Sequence, residues 1–360
     1  MVGEATGFRD LTVTARRREG ERVVSLSLAA ADGSPLPAFE PGQFLTFRLA
    51  GPDGRPVPRN YSLSGDPADR SHYRISVRRE GPAALGSGHM HEQAVVGARL
   101  QASGPKGRFV LDRASRRPVI LIAEDIGLTP LLAMAHALAA DPGRPALLVA
   151  VATAPAEAIF ADELAGFAAR APNLQVRRLS DGAAPLTAAH LTAWLPIGDY
   201  EAYLCGPQPF LDATAQLLDS LGLRPERIRT ETFGPAAPPR PSPAPALPVE
   251  AGPTEAGSTE AGPASAPAAA GAPPAGGVPT VTFEPAGRSI AWDPASRTLL
   301  DFAEANGLAP AFSCRNGICG TCKAAVEGPV TYLDDPLEMP EPGFALLCCS
   351  APAGPVTVRL

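Results

Sequence analysis

The sequence lacks the features that mark a nucleic-acid-binding or membrane-spanning protein. It has no polybasic block, and 37 acidic residues outnumber 31 basic ones, which gives a formal net charge of −6. A general binder of phosphate backbones is therefore not expected. The longest weakly polar stretch, Pro145 to Ala156, contains Pro155 and is well short of the roughly 20 apolar residues that a membrane span needs.

Export signals and common hydrolase motifs are also missing. Met1 to Asp10 has neither a basic cluster nor an apolar core, so no secretory signal is expected and we predict a soluble, cytoplasmic protein. Neither G-x-S-x-G nor H-E-x-x-H occurs, and the five histidines form no metal-ligand constellation with one another. The chain therefore lacks the signatures of a G-x-S-x-G serine hydrolase and of an H-E-x-x-H zinc protease.

Residues 235–279 have almost nothing that can be buried. The segment consists nearly entirely of Ala, Pro, Gly, Ser, Thr and Glu, and no aromatic residue occurs between Phe233 and Phe283. We predict a linker here, with an r.m.s. span of roughly 35 to 40 Å for a flexible coil. It separates a large body from a tail, residues 280–360.

Two patterns divide the body. Residues 1–113 contain short alternating runs separated by turn signals, which predict an antiparallel β-barrel or sandwich. Residues 114–234 alternate strand-like runs with helical stretches, which predicts an α/β domain with a doubly wound parallel sheet. The predicted helices of that half are Leu128 to Leu138, Phe160 to Ala169, Thr187 to Trp194 and Phe210 to Leu221.

The cysteines of the tail carry the strongest chemical signal. Cys314, Cys319 and Cys322 have the C-x4-C-x2-C spacing of plant-type 2Fe-2S ligands, and Cys348 follows further on. Gly317 and Gly320 suit a tight loop around a cluster. A structural zinc site normally uses paired C-x2-C knuckles, of which the tail has only one pair, and disulfides need an oxidising compartment.

The tail resembles a plant-type ferredoxin, a β-grasp domain, over residues 280–360. In related fused reductases the last ligand tends to be followed by x-S-x-P, and CCSAP at 348–352 fits if Cys348 is that ligand. The resemblance thus implies a 2Fe-2S cluster on Cys314, Cys319, Cys322 and Cys348. Cys349 would then be a small buried residue.

The first half of the body resembles the FAD-binding barrel of the ferredoxin-NADP reductase superfamily, most closely its flavohaemoglobin-like reductases. The resemblance runs from PGQFLTFRL through RNYSLSG and YRISVRRE to SGHMH. By itself R-x-Y-S is equally compatible with an edge strand. The resemblance implies FAD, with FMN as an alternative, and a flavin site containing Phe44, Arg59, Asn60, Tyr61, Ser62 and Ser87.

Roles within that set follow from the same resemblance. Arg59 would contact the flavin phosphate, Tyr61 would stack on the ring and Ser62 would lie near N5. Phe44 stands where the family often has Tyr. Ser87 to His91 would lie near the pyrophosphate, although His89 and His91 are as easily solvated loop residues.

The segment EDIGLTPLLAM, which follows a predicted strand, resembles the family's G-G-x-G-x-T-P loop. Gly127 would allow close backbone approach, Thr129 would offer a hydroxyl, and Pro130 would sit in a helical turn whose N–H groups favour a phosphate. Glu124 and Asp125 replace the usual glycines. They add bulk and negative charge beside an anionic ligand, so hydride transfer is expected to be slow, selective or restricted to particular conformations.

Two further motifs complete the resemblance. Cys205, Gly206 and Pro207 match the family's C-G-P, which lies near the nicotinamide; the alternative is a strand-to-helix turn with a buried cysteine. Glu231 and Phe233 match E-x-F-G-P, close against the flavin. The implied catalytic set is Tyr61, Ser62, Cys205 and Glu231.

Coenzyme choice is argued from charge. A 2′-phosphate calls for Arg or Lys after the second strand of the doubly wound half. No Lys, Arg or His occurs between Arg144 and Arg170. NADH is therefore expected over NADPH.

These modules predict a reductase that takes hydride from NADH and passes single electrons to an acceptor protein. The resemblance implies the reductase component of a Rieske-type oxygenase. Reductases for a cytochrome P450 or a di-iron enzyme are alternatives, as is a non-catalytic electron-transfer adaptor with an impaired nicotinamide site. The linker suggests that the ferredoxin tail moves between flavin and acceptor.

Overall fold

A computed structural model describes the chain as two units, Met1–Ala236 and Ala237–Leu360. The described residues are 8–50, 56–81, 85–154, 158–180, 186–195, 198–232, 278–294, 296–312, 317, 320–333, 336 and 339–360. Most of the predicted linker lies outside them, as do Phe233, Cys314 and Cys319. No helix among the described residues is long and apolar enough to cross a membrane.

The first unit begins with a six-stranded antiparallel sheet of order β4-β3-β6-β1-β2-β5. An isolated bridge between Leu63 and Ile75 joins the end of β4 to β5, the two outer strands of that order. The core on the inner face contains Leu11, Phe47 and Ile75, all fully buried. The elements are β1 Arg9–Arg18, β2 Val23–Ala30, β3 Phe44–Ala50, β4 Pro56–Ser62, β5 Tyr73–Arg78, α1 Leu85–Glu92 and β6 Arg99–Ala102.

Two details of this sheet bear on the predicted flavin residues. Arg59 to Ser62 form the end of β4 itself, since this strand pairs with β3 through Ser62. His89 and His91 lie on α1, so they are not loop residues. Gly and His are poor helix formers, which is why the segment did not read as a helix.

The second half of the unit is a parallel sheet of order β11-β10-β7-β8-β9, as predicted. Along β7, Val119 and Leu121 enter the core beneath α2 and α3, while Ile120 and Ile122 enter the core beneath α4 and α5. Burial on both faces explains the unbroken apolar strand sequences. The elements are β7 Val119–Glu124, α2 Leu128–Ala139, β8 Ala146–Ala152, α3 Ala161–Arg170, β9 Leu174–Ser180, α4 Ala188–Trp194, β10 Glu201–Gly206, α5 Gln208–Ser220 and β11 Ile228–Thr232.

Helix α2 belongs to the cores of both sheets. Ala133 packs in the core of the antiparallel sheet, whereas Met134 packs in the core of the parallel sheet. Gly42 adopts φ 104°, and a Cβ at this position would lie 2.6 Å from the Met134 side chain and 2.0 Å from the Phe109 carbonyl oxygen. The close approach leaves room only for glycine.

A polar clamp also links the two sheets. Arg74 on β5 donates two hydrogen bonds of 2.9 Å to the carboxylate of Glu163 on α3. His136 on α2 lies 2.7 Å from the same carboxylate through Nε2. Burial by itself raises the pKa of Glu163, but the hydrogen bonds from His136 and Arg74 outweigh it, so the pKa is lowered.

The second unit forms a five-stranded mixed sheet of order β13-β12-β18-β14-β16, in which β12 and β18 are parallel. Phe302 on α6 packs with Phe283 and Val358 in its core, and the Thr298 hydroxyl caps α6 by accepting from the Asp301 N–H. Strands β15 and β17 form a separate pair. The elements are β12 Thr280–Glu284, β13 Arg288–Ala291, α6 Leu299–Ala305, β14 Lys323–Glu327, β15 Val330–Tyr332, β16 Phe344–Leu346, β17 Ser350–Pro352 and β18 Val356–Arg359.

Glu163→Gln is expected to lower the free energy of unfolding of the first unit by about 1–3 kcal/mol at pH 7, because it removes the charged acceptor of the clamp. Since the folded pKa of Glu163 is depressed, its contribution is present above the ordinary value of 4.5 and is lost as pH falls through the folded pKa. Denaturant unfolding of both proteins at several pH values measures this. Asp162→Asn, which removes an exposed pair with Arg17, is the control and should change little.

Candidate functional site

The candidate site lies at the carboxyl edge of the parallel sheet, between β7 and β10. The chain leaves β7 towards β8 and β9, whereas β10 continues to β11 on the other side. Such a switch point is where open α/β sheets bind ligands. A Cβ on Gly127 would lie 2.2 Å from the Cys205 carbonyl oxygen and 3.0 Å from the Gly206 nitrogen, so the two loops meet backbone to backbone.

The first turn of α2 points into this crevice. Thr129 is 2% exposed, and its hydroxyl donates to the carbonyl of Ile126 at 2.9 Å. The hydroxyl is therefore engaged in the turn, and the first N–H groups of the helix are what this end offers to a phosphate. Pro130 is buried within the same turn. Pro207 follows Gly206 and begins the next helix as the N-cap of α5.

Asp125 takes a left-handed conformation, with φ 48°. Its Oδ1 accepts from the Thr153 backbone N–H at 2.9 Å, and its Oδ2 accepts from the Thr153 hydroxyl at 2.7 Å. Arg78 on β5 lies 3.8 Å from Oδ2. Burial, and then the neighbouring Asp125, raise the pKa of Glu124. Asp125 is thus fixed at the edge of the sheet, and Glu124 precedes it at the end of β7.

Cys205 and Glu231 are side by side on adjacent parallel strands. Cys205 is fully buried, and Glu231 Oε2 is a buried atom with no hydrogen-bond partner among the described residues. Burial raises the pKa of Glu231 to about 8. Burial and the neighbouring Glu231 raise the pKa of the Cys205 thiol. At neutral pH the pair is a protonated carboxyl group beside a thiol.

The predicted flavin residues gather where β4 meets α1. A Cβ on Gly86 would lie 2.7 Å from Cγ of Arg59, so the Arg59 stem crosses the start of α1. The next residue, Ser87, is buried, and its hydroxyl accepts from the Glu80 N–H at 3.0 Å. This places a cation beside a helical turn, an arrangement that fits a pyrophosphate.

The other residues of β4 are fixed by pairing with β3. Ser62 lies opposite Phe44, and both are buried at 4% exposure. Asn60 accepts from the Thr46 hydroxyl at 2.9 Å. Tyr61 packs edge-on against Phe47 with ring centroids 5.8 Å apart, and burial raises the pKa of its hydroxyl.

His91 has a structural role. Its Nε2 lies 2.9 Å from the Val77 carbonyl oxygen, to which it donates, and Arg16 donates to the carbonyl of His91 at 2.7 Å. Burial lowers the pKa of His91. The ring is thus held between α1 and β5, and no direct role at a cofactor follows from its position.

In the second unit, Cys322 and Cys348 are buried together. Gly317, at φ 68°, donates its N–H to Cys348 Sγ at 3.2 Å, which is the type of contact that stabilises a thiolate bound to iron. Cys349 Sγ instead donates to the Leu346 carbonyl oxygen at 3.5 Å. The two adjacent cysteines therefore have different surroundings.

Tyr332 is a residue at this centre that the sequence did not single out. Its hydroxyl oxygen is buried and has no hydrogen-bond partner in the described part of the chain. Burial raises the pKa of Tyr332, and the thiols of Cys349, Cys322 and Cys348 add to that effect against the backbone amide of Leu346. A buried hydroxyl beside sulfur atoms fits a cluster that can accept hydrogen bonds. No local pattern in the sequence marks Tyr332.

Comparison with known proteins identifies both units. Residues 281–353 match the family of 2Fe-2S iron-sulfur cluster binding domains. A flavohemoprotein of Rhodopirellula baltica is 37% identical over 256 residues, which cover 65% of this chain and 62% of that protein. The chain therefore spans about 62% of the length of this relative.

The FAD/NAD-binding domain of a Vibrio cholerae nitric oxide dioxygenase is 31% identical with a TM-score of 0.58, over 63% of this chain and 99% of that domain. The chain belongs to the ferredoxin-NADP reductase superfamily. Phthalate dioxygenase reductase is similar to this chain over 98% of both chains, at 25% identity and a TM-score of 0.58. The likenesses thus cover an FAD/NAD-binding body and a C-terminal 2Fe-2S domain.

Glu231→Gln is expected to abolish a pH dependence of stability. Between the ordinary pKa of 4.5 and about 8, the folded protein keeps a proton that the unfolded chain has lost, so wild-type stability falls as pH rises. Between pH 5 and pH 8 the free energy of unfolding of the variant, compared with that of wild type, should therefore rise by at most about 4 kcal/mol. Unfolding of the full chain across this range measures it. Glu226→Gln, the same change at an exposed position, should leave the slope intact.

Replacing each of the two adjacent cysteines, Cys348 and Cys349, in turn distinguishes their roles. Cys348→Ala is expected to lose most of the bound iron and sulfide, because it removes the thiol that receives the Gly317 N–H. Cys349→Ala should retain both, at a stability cost of about 1–2 kcal/mol for the small cavity. Iron and sulfide content and the EPR signal after reduction check this, and the reverse pattern would make Cys349 the ligand.

Proposed function

We propose that the protein is an NADH-dependent reductase that delivers single electrons to the oxygenase component of a Rieske-type system. The observation that supports it best is the likeness to phthalate dioxygenase reductase over 98% of both chains, since that enzyme's described role is electron transfer from pyridine nucleotides to [2Fe-2S]. The domain plan of the proposal is an FAD-binding barrel at 1–113, an NAD-binding domain at 114–234, a linker at 235–279 and a ferredoxin domain at 280–360.

Residues of the first sheet would hold the flavin. Bound FAD supplies the chemistry, because it accepts two electrons as hydride and gives them up singly. Arg59 and the start of α1 neutralise its pyrophosphate, while Tyr61 and Ser62 orient the ring. A closed barrel is supported by the Leu63–Ile75 bridge between the outer strands.

Residues of the second sheet would position the nicotinamide. The N–H groups at the start of α2 bind the coenzyme's pyrophosphate, and the contact of Gly127 with Cys205 sets how close the two loops come. Glu231 keeps a proton on its carboxyl group at neutral pH, and the buried Cys205 thiol excludes water beside it. In the second unit Cys314, Cys319, Cys322 and Cys348 would hold the cluster.

Anaerobic titration of the purified full chain with NADH tests the proposal. We expect bleaching of the flavin absorbance followed by the EPR signal of a reduced 2Fe-2S cluster. Reduction of a Rieske-type oxygenase faster than of a cytochrome P450 or a di-iron enzyme supports the proposed acceptor; the reverse order assigns another. Absence of flavin bleaching would show an electron-transfer adaptor and contradict the proposal.

Gly127→Ala is expected to slow NADH-dependent flavin reduction about 100-fold, because its Cβ would force the Cys205 loop away and misplace the nicotinamide. Stopped-flow absorbance measures the rate, and reduction by dithionite should be unchanged. Gly143→Ala, whose Cβ would meet only Asp141 at 3.7 Å, is the matched control. Equal rates for the two variants would show that the loop contact does not position the coenzyme.

A further inference from the structure

We propose that Arg74 is a positioning residue for hydride transfer, because it fixes the end of β4 relative to the nicotinamide-binding half. The inference rests on the proposed use of FAD and NADH and goes beyond it by assigning the contact that aligns the two reacting rings. Arg74 acts through Ser64 in the first sheet and through Glu163 on α3.

Arg74 binds Ser64 through both its backbone and its side chain. The Arg74 carbonyl oxygen accepts from the Ser64 backbone N–H at 2.8 Å. Nε of Arg74 donates to the Ser64 hydroxyl oxygen at 3.2 Å, and a terminal nitrogen donates to the Ser64 carbonyl oxygen. Ser64 is fully buried and lies two residues after Ser62, the last residue of β4. The position of the guanidinium group is thus tied to that of the β4 end.

Buried hydrogen bonds couple Ser64 to the rest of its sheet. Ser64 Oγ lies 2.9 Å from Ser76 Oγ, which in turn lies 2.7 Å from Ser25 Oγ, and all three serines are buried. Leu63 is fully buried and donates its N–H at 2.8 Å to the carbonyl of the residue before β3. Because this segment is close-packed, a displacement at Ser64 is passed on to Ser62.

On its other side, Arg74 binds the nicotinamide-binding half through one carboxylate. The two parallel hydrogen bonds of 2.9 Å to Glu163 fix the plane of the guanidinium group. Its central carbon lies 5.8 Å from the ring centroid of Phe160, which is buried at the N-cap of α3. His136 on α2 lies 2.7 Å from the same carboxylate. The contact therefore reaches α2, whose start is proposed to bind the coenzyme's pyrophosphate.

A second ion pair joins the same sheet to the same helix but lacks these properties. Arg17 on β1 lies 3.1 Å from Asp162 on α3, and both side chains are exposed. Such a pair is worth little, because water competes for both charges. The side chains of Arg74 and Glu163 are only 19% and 15% exposed, and their bidentate geometry allows one arrangement. Loss of Arg74 should therefore change the placement of the two halves, whereas loss of Arg17 should not.

Hydride transfer makes this placement important. The reacting atoms must approach to about 3–3.5 Å, and a misplacement of about 1 Å can cost about 100-fold in rate. In the proposed function Tyr61 and Ser62 on β4 orient the flavin, while the start of α2 and Cys205 on β10 lie at the nicotinamide. These residues belong to different sheets, so contacts between the two halves set the distance between the rings.

Stopped-flow reduction of the full-length, FAD-loaded protein by NADH tests the proposal. Arg74→Gln and Arg74→Lys should each lower the limiting rate of flavin reduction about tenfold or more, while the dissociation constant for NADH changes less than about twofold. Lysine keeps the charge but cannot form the planar fork, so its failure to restore the rate separates geometry from charge. Arg17→Gln, the same change at the exposed pair, is the matched control and should keep the wild-type rate.

A second measurement reports the overlap of the rings without turnover. Titration of the protein with NAD⁺ in excess dithionite should give a long-wavelength charge-transfer absorbance in wild type and in Arg17→Gln. At saturating NAD⁺ this absorbance should be at least about twofold weaker in both Arg74 variants. FAD content should stay at the wild-type level. If an Arg74 variant does not retain FAD, Ser64→Ala, which removes only the hydroxyl contact, should show a smaller fall in the same rate.

Three results would overturn the proposal. They are a limiting rate within about twofold of wild type in the Arg74 variants or an unchanged rate in Ser64→Ala, full recovery of the rate by lysine, and weaker NADH binding with an unchanged limiting rate. Equal reduction of wild type and variants refutes the role of Arg74 alone. If NADH does not reduce the wild-type flavin at all, the proposed function fails and the role of Arg74 fails with it.

Discussion

The contact between Gly127 and the Cys205 carbonyl determines the geometry of the candidate site. Two parallel strands end side by side, and the loops that leave them touch backbone to backbone because neither residue at the contact projects a side chain between them. This contact fixes the start of α2 relative to β10, and β10 fixes Cys205 beside Glu231 on β11. The start of α2 and the buried Cys205–Glu231 pair are thereby brought to one crevice.

Much of this arrangement could be predicted because it depends on local signals. Unbroken apolar runs such as 119–123 indicate strands buried on both faces, and the parallel sheet follows from their alternation with helices. The aspartate at 125 shows the limit. Its departure from the glycine pattern was visible, but its partner Thr153 is set by the pairing of β7 with β8, which no local pattern records. His91 was missed similarly, since its contact with Val77 depends on how α1 packs on β5.

In the ferredoxin unit, too, some features could be predicted from local sequence and others depend on tertiary contacts. The spacing of the cysteines indicates the cluster type, because iron ligation constrains neighbours along the chain. It does not distinguish Cys348 from Cys349, since both satisfy the spacing to within one residue. The distinction lies in the surroundings, where Gly317 donates to one sulfur and the other donates to Leu346. Tyr332 likewise becomes notable only once its hydroxyl is seen to be buried without a partner in the described residues.

Helix α2 carries a consequence for how such reductases diversify. Ala133 and Met134 are neighbours in sequence but pack in two different cores. The side chains of one helix must therefore fit the flavin half and the nicotinamide half at the same time. If either half were replaced by that of a distant homologue, α2 would no longer fit one of the cores and would leave a cavity or a steric clash there. Recombination that respects packing must therefore move these halves as one cassette, whereas the ferredoxin unit, with a core of its own, is free to be gained, lost or transplanted.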